Sequence, residues 1–270
     1  VIPDIDVLMA SPACQVHSDA ATKGGTGKRG TAKTHEQLRA TALTITAALD
    51  GLKDRRALPK LLVIENVPGF TQWSHTPDSK DGSQYRWWIS GIEGYGYKVT
   101  EAVLNAADTG VVPQDRKRLF IVGSLKAKVE IPPLEGEHVG FDCCVELDAG
   151  DWTPVSDTSG QTQDRAKRGR KKLPDDEAFL INLGDSEHSG RSLSRPIGTI
   201  TTKRHWYLVK RGARGRDLVR GLTVDEYKRA MGVPDSYLLP EVPTQAIPLL
   251  GNAVCPAVAR HVLEYAQEAI

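Results

Sequence analysis

Sulfur and aromatic side chains are thin in this sequence: four cysteines, two methionines and 6% Phe, Trp and Tyr among 270 residues. The cysteines (Cys14, Cys143, Cys144, Cys255) show no C-x-x-C spacing and no ligand pattern with the seven histidines, which excludes a zinc ribbon and a dithiol redox motif. They read as reduced thiols in a cytoplasmic protein. No uninterrupted apolar run approaches the ~20 residues of a membrane span, and the first residues lack the basic-then-apolar pattern of a signal peptide. Internal repeats are absent too. Net charge is almost absent, +1, but it is unevenly spread. From Arg195 to Arg229 ten Lys and Arg face three acids, a local net of +7, and "DRAKRGRKK" covers 164–172. Such runs are commonly solvated faces; they also suit a phosphate-binding surface, and charge alone leaves both readings open.

What is present has the texture of an α/β protein. "IDVLMA" (5–10) and "LLVIENV" (61–67) are short apolar runs ended by polar residues and proline, the pattern of buried strands. Between them, Gly-, Thr- and Lys-rich residues 16–34 read as a loop, and 35–50, with Leu38, Ala42, Ile45 and Leu49 at helical spacing, as a helix. A helix is expected near 84–93, leading to "YKVTEAVLNA" (97–106), and "RLFIVGSL" (118–125) reads as a further strand. Strands alternating with helices indicate an α/β sheet with its site at the strand ends. Residues 126–194 carry many Pro, Gly and charged residues with weak periodicity, which suggests a loop-rich insertion or a second small domain. Order returns over 218–232, where Thr223 and Glu226 form a capping box and Gly232 ends the helix. A last helix, 256–269, presents Val258, Val262 and Ala266 on one face.

Taken singly, the chemically interesting residues are weak signals. Cys14 in "SPACQ" could be a small buried hydrophobe, "ENV" (65–67) a polar strand end, "PQDRKR" (113–118) solvated charge and "GNAV" (251–254) a turn. "GGTGKRGT" (24–31) looks like a phosphate loop, but no Ser or Thr follows the Lys and no strand leads into it, so a nucleotide-binding P-loop is rejected. Order changes their weight. S-P-x-C-Q ends one strand and E-N-V the next. V-P-Q-x-R-x-R-L-F-I-V-G, R-P-x-x-T-I-T and G-N-A-V-x-P-x-V-A then follow in that order.

This succession resembles the cytosine-C5 DNA methyltransferases over nearly the whole chain except its variable middle, and "LTVDEYKRAMGVPDSY" is similar to that family's segment before the last motif. The resemblance implies a Rossmann-like α/β fold of the S-adenosyl-L-methionine-dependent methyltransferases with a smaller target-recognition domain. The expected division is a catalytic domain over 1–125, a target-recognition region over 126–216 and a closing segment over 217–270 whose last helix returns to the catalytic domain. It implies methylation of cytosine C5 in duplex DNA, on a base flipped from the helix. Carbon 5 is a poor nucleophile until a thiolate adds to C6, and Cys14 matches that thiol. Glu65 matches the carboxyl group that hydrogen-bonds or protonates N3. Arg116 and Arg118 match the arginines that hold the base in register. Gly251, Asn252 and Ala253 match a loop contributing to the S-adenosyl-L-methionine pocket. Candidate DNA contacts are Gln15, Ser18, Lys28, Arg29, Gln114, Arg168, Arg170, Arg195, Thr199, Lys203 and Arg204; no metal is implied.

Two departures stand out. Ala13 occupies the place of the proline that usually precedes the nucleophile, with Pro12 one residue earlier. The family's opening F-x-G-x-G, with the acidic residues that bind ribose and adenine, does not occur in these 270 residues. The sheet is therefore expected to lack its first strands. The expectation is that a longer protein, or a second polypeptide, carries the rest of the cofactor half. Competing readings are a degenerate DNA-binding subunit without activity, an RNA cytosine methyltransferase, and, more remotely, a Cys–His hydrolase using Cys14 and His17.

Overall fold

The computed structural model describes residues 5–13, 40–75, 79–184 and 189–270. The expected loop over 16–34, Cys14 and the first part of the expected helix over 35–50 lie outside them.

The chain divides into two compact units, one of residues 1–104, 117–133 and 260–270, the other of 105–116 and 134–259. The first unit is built on a four-stranded sheet in the order β1-β2-β4-β3, from β1 (Val7–Ala10), β2 (Leu61–Asn66), β3 (Lys98–Asn105) and β4 (Lys117–Ser124). Strand β2 pairs parallel with β1 and antiparallel with β4. Its unbroken apolar run explains that central place: Leu61, Leu62, Val63 and Ile64 are all buried, the pattern of a strand covered on both faces. Helix α1 (Leu43–Asp54) buries Ile45, Leu49 and Leu52. It runs four residues past the sequence expectation, because Leu52 continues the apolar stripe beyond Asp50–Gly51. Helix α2 (Ser83–Glu93) buries Tyr85, Trp88, Ile89 and Ile92 against Phe70 and Trp73, so five of the chain's few aromatics, Tyr97 included, sit in one core. Trp88 Nε1 donates to the Ala42 carbonyl at 3.1 Å, which ties α2 to the approach to α1. The chain end lies on the same unit: Ser124 Oγ donates to Ala269 O at 3.2 Å and Lys126 Nζ to Ile270 O at 3.0 Å.

The second unit holds a five-stranded sheet, ordered β5-β9-β8-β6-β7 and antiparallel throughout, formed by β5 (Thr153–Pro154), β6 (Ala178–Asn182), β7 (Ser189–Ser192), β8 (Trp206–Arg211) and β9 (Asp217–Gly221). Helix α3 (Gly160–Lys172) lies on β6 and β7. Residues 217–221 form strand β9; the helix that follows, α4 (Val224–Ala230), begins at the Thr223–Glu226 capping box and stops ahead of Gly232, whose φ is +66°, as the sequence pattern implies. Helix α5 (Pro243–Asn252) and helix α6 (Pro256–Ala266) close the chain. Together Pro243–Ala269 are long and apolar enough, by length and composition alone, to cross a membrane. Extended Ala253 splits them into two helices, and Ala246, Ile247, Leu250, Val258 and Val262 are buried in the protein.

Two glycines let α3 lie close on its sheet. A Cβ on Gly169 would stand 2.3 Å from the Phe179 ring, and one on Gly190, whose φ is +79°, would stand 2.5 Å from Gly169 Cα. Gly190→Ala therefore meets both a backbone penalty and a backbone clash, and we expect it to destabilise the protein by about 1–3 kcal/mol in urea unfolding.

Candidate active site

Strands β1 and β2 are parallel neighbours, so their C-terminal ends fall side by side, the position where open α/β sheets place their ligands. Here the S-P-x-C and E-N-V motifs meet. The Asn66 amide donates to the Pro12 carbonyl at 3.0 Å, and Ala13 N donates to Thr41 Oγ1 at 2.9 Å. Those two bonds fix the backbone up to the residue before Cys14; Cys14, Gln15, Ser18, Lys28 and Arg29 themselves lie outside the described residues. Asn66 Oδ1 accepts from Val67 N at 2.9 Å, so the amide is held at both ends. Neither Asn66 nor Thr41 stood out as a site residue in the sequence, although Asn66 is the central letter of E-N-V.

Glu65 stands next to last on β2, opposite Phe120 of antiparallel β4. That register brings Arg118, two residues earlier on β4, to its carboxylate: Arg118 Nε donates to Glu65 Oε1 at 3.0 Å. The side chains keep 12% and 14% of their exposure, enough for the pair to be reached from outside and too little for water to screen it fully. Arg118 Nη1 is anchored on the Lys117 carbonyl at 2.8 Å. The pair offers a carboxyl group of fixed orientation, backed by a permanent positive charge.

The other residues of Q-x-R-x-R belong to the second unit. Arg116 is buried and its guanidinium spans three backbone carbonyls: Ile200 at 2.8 Å, Gly251 at 2.8 Å and Ala253 at 2.6 Å. It thereby fastens R-P-x-x-T-I-T to G-N-A-V. Gln114 has no solvent exposure; its Nε2 donates to Ala230 O and its Oε1 accepts from Ile200 N, both at 3.0 Å. Thr199 Oγ1 donates to Asp115 O at 2.8 Å. Asp115 in turn pairs with Arg191, and Asn105 bonds both Asp115 and the Arg116 amide, a polar network with no local signature in the sequence. A Cβ on Gly251 would lie 2.4 Å from the Thr201 backbone, so the loop needs glycine there, while Asn252 beside it is exposed.

The remaining candidates fall into two sets. Arg168, Arg195 and Lys203 are exposed. Arg170 is held by Asp217 at 2.8 Å, by the Leu173 and Asp176 carbonyls, and lies over the Phe179 ring at 4.8 Å. Arg204 Nη2 donates to Leu222 O at 2.8 Å. The structure thus brings Glu65 to Arg118 in one unit and gathers Gln114, Arg116, Thr199, Gly251 and Ala253 in the other.

Comparisons with known proteins agree in direction. The family model for C-5 cytosine-specific DNA methylases matches residues 1–268. The type II methyltransferase M.NlaX of Neisseria lactamica is 27% identical over all of this chain and 78% of its own length. M.HaeII of Haemophilus aegyptius is 30% identical over 96% of this chain and 73% of its own. With M.NlaIV of Neisseria lactamica the identity is 36%, over 48% of this chain, and that match spans 28% of the relative, well under two thirds of its length. Among solved structures, the Entamoeba histolytica methyltransferase EhMeth superposes with a TM-score of 0.62 at 16% identity, covering 97% of this chain and 77% of the other. A putative DNA modification methyltransferase encoded within an E. coli prophage gives 0.57 at 16%, covering 99% and 80%. At such identities the structural likeness speaks for the fold, and the family match over nearly every residue decides the rest: the chain belongs to the C-5 cytosine-specific DNA methylase family.

Proposed function

We propose that this chain carries the reacting site of a DNA (cytosine-5-)-methyltransferase, acting on a cytosine flipped out of duplex DNA. One observation carries the reading: the S-P-x-C and E-N-V motifs meet at neighbouring strand ends, with Glu65 held by Arg118 and Asn66 holding the backbone that leads to Cys14. In this reading the Cys14 thiolate adds to C6 of the base, and the electron pair of the C5–C6 double bond becomes available at C5 while negative charge spreads to N3. Glu65 hydrogen-bonds or protonates N3 and absorbs that charge; Arg118 keeps the carboxyl group aimed and electrostatically supported. Once C5 carries the methyl group, loss of its proton restores the double bond and expels the Cys14 thiolate.

S-adenosyl-L-methionine, the methyl donor the family implies, supplies the electrophilic methyl group when bound. The residues present fit it as one edge of its site: Asn252 is exposed on a loop whose backbone Arg116 and the tight Gly251 contact hold in place. Arg116 and Gln114 act in this reading as positioning residues, through the loops they fasten. A second polypeptide or a further segment completing that site is part of the proposal.

The test uses the full-length gene product, S-adenosyl-L-methionine and duplex DNA with 5-fluorocytosine in place of cytosine. Fluorine at C5 cannot leave as a proton does, so the adduct is trapped and runs as a shifted band on a denaturing gel. The wild type should give the band and Cys14→Ser none. A wild type without adduct, or an equal yield from Cys14→Ser, overturns the reading.

A further inference from the structure

The two basic runs of the sequence, far apart along the chain, converge in the second unit. Arg170, near the end of α3, pairs with Asp217, the first residue of β9. Arg211, the last residue of β8, donates to the Pro174 carbonyl just beyond α3. These two tethers set the β8–β9 turn, with exposed Arg211 and Arg216, beside the C-terminal end of α3.

Helix α3 divides its charges between two faces. Toward the sheet it buries Thr162, Arg165, Ala166 and Gly169, and Arg165 donates to Asn182 O at 2.6 Å. On the opposite side stand Lys167, Arg168 and Lys171, with Lys172 at the helix end; all four are exposed, and none of them forms an ion pair among the described residues. Asp164 is the one acid on that helix face. In the loop that follows, Asp176 accepts from Ser192 Oγ, while Asp175 and Glu177 are exposed. Cations in the last turn of a helix also favour its dipole, which accounts for Lys171 and Lys172 but not for Lys167 and Arg168 in the middle. From Lys167 to Lys172 the helix rises roughly 7 Å, the reach of about two phosphates along one strand of B-DNA.

We infer that the outer face and C-terminal end of α3, extended by Arg211 and Arg216, are a sequence-independent docking surface for the phosphate backbone of duplex DNA. The inference rests on the proposed function for its partner and adds where, and by which charges, the duplex is held. It assigns Arg170 to building that surface through Asp217, and assigns phosphate contact to Lys167, Arg168, Lys171 and Lys172.

The test combines Lys167→Gln, Arg168→Gln, Lys171→Gln and Lys172→Gln, four exposed positions where glutamine keeps the helix. Duplex binding is followed by fluorescence anisotropy over a series of salt concentrations, and wild-type adduct formation is measured in parallel. The slope of log K against log salt should become shallower by about 0.9 per lost phosphate contact, roughly 2–4 in all, and affinity should fall equally on unrelated duplex sequences. Adding Arg211→Gln and Arg216→Gln should flatten it further. A wild type that forms the adduct beside a variant with an unchanged slope overturns this surface and leaves the proposed function standing. A wild type that neither binds duplex nor forms adduct overturns both, and a loss confined to one duplex sequence overturns the sequence-independent role.

Discussion

Glu226→Ala is expected to destabilise the second unit by about 3–5 kcal/mol in urea unfolding at neutral pH, because it strands a buried guanidinium. Glu226 has no solvent exposure and Arg220 keeps 2% of its own. The pair is bidentate, with Arg220 Nη1 and Nη2 each 2.7 Å from a carboxylate oxygen. The same carboxylate accepts from Thr223 N at 2.8 Å, closing the capping box of α4, and from Glu146 N at 3.1 Å. Arg220 Nη2 also donates to Glu146 O at 2.7 Å. One carboxylate thus holds a helix start, a strand and a distant loop. Burial by itself pushes the Glu226 carboxyl up; the Arg220 guanidinium and the two amides outweigh it and hold the group below the usual carboxylate range. A depressed acid stabilises the fold above its unfolded value, about 4.3, and that contribution is lost as pH falls through the lower folded value. Stability should therefore decline on acidification from about pH 4 downward, and Glu226→Ala should remove part of that decline along with the stability itself. The double substitution Arg220→Met with Glu226→Leu should recover most of the loss, since removing both charges leaves no unpaired ion. A single variant as stable as wild type would show that this pair contributes nothing.

The second large effect concerns Glu65. Glu65→Ala should lower the rate of adduct formation by about 10²–10⁴ at saturating DNA, the usual worth of a positioned acid–base group, with a much smaller change in duplex affinity. Glu65→Gln separates two roles of the carboxyl group: the amide keeps its volume and can donate a hydrogen bond to N3, but it cannot give up a proton. A rate close to Glu65→Ala would assign the effect to proton transfer, and a rate close to wild type to hydrogen bonding alone. Because the pair sits at a strand end and is partly exposed, removing the carboxylate costs far less stability than at Glu226. Arg118→Ala should fall in the same direction by a smaller factor, since Arg118 acts on Glu65. Single-turnover trapping on 5-fluorocytosine duplex measures both variants, and a Glu65→Ala rate within threefold of wild type would remove Glu65 from the chemistry.

Several elements could be read directly from local pattern. The unbroken apolar run of β2, the Thr223–Glu226 capping box with Gly232 behind it, and the i, i+4, i+8 stripe of Val258, Val262 and Ala266 are short-range signals. Each is decided by burial or capping within a few residues. The order of the motifs, likewise a property of the linear chain, identified the family before any contact was known.

The sequence could not decide what depends on distant partners. Helix α3 escaped notice because its buried face is only Thr162, Arg165, Ala166 and Gly169, too polar to register as an apolar stripe; only the Phe179 ring and Gly190 beneath it make it a helix surface. Residues 218–221 carry no signal separating strand from helix, and pairing with Tyr207–Lys210 settles them as β9. Arg116 and Arg118 stand two residues apart in one motif, yet Arg116 ends on the carbonyls of 200, 251 and 253 and Arg118 on the carboxylate of Glu65. Arg168 and Arg170, equally close, end in solvent and on Asp217. A guanidinium is long and always charged, so its role is set by whichever acceptors the fold brings within reach, and that information resides in contacts separated by tens to more than a hundred residues.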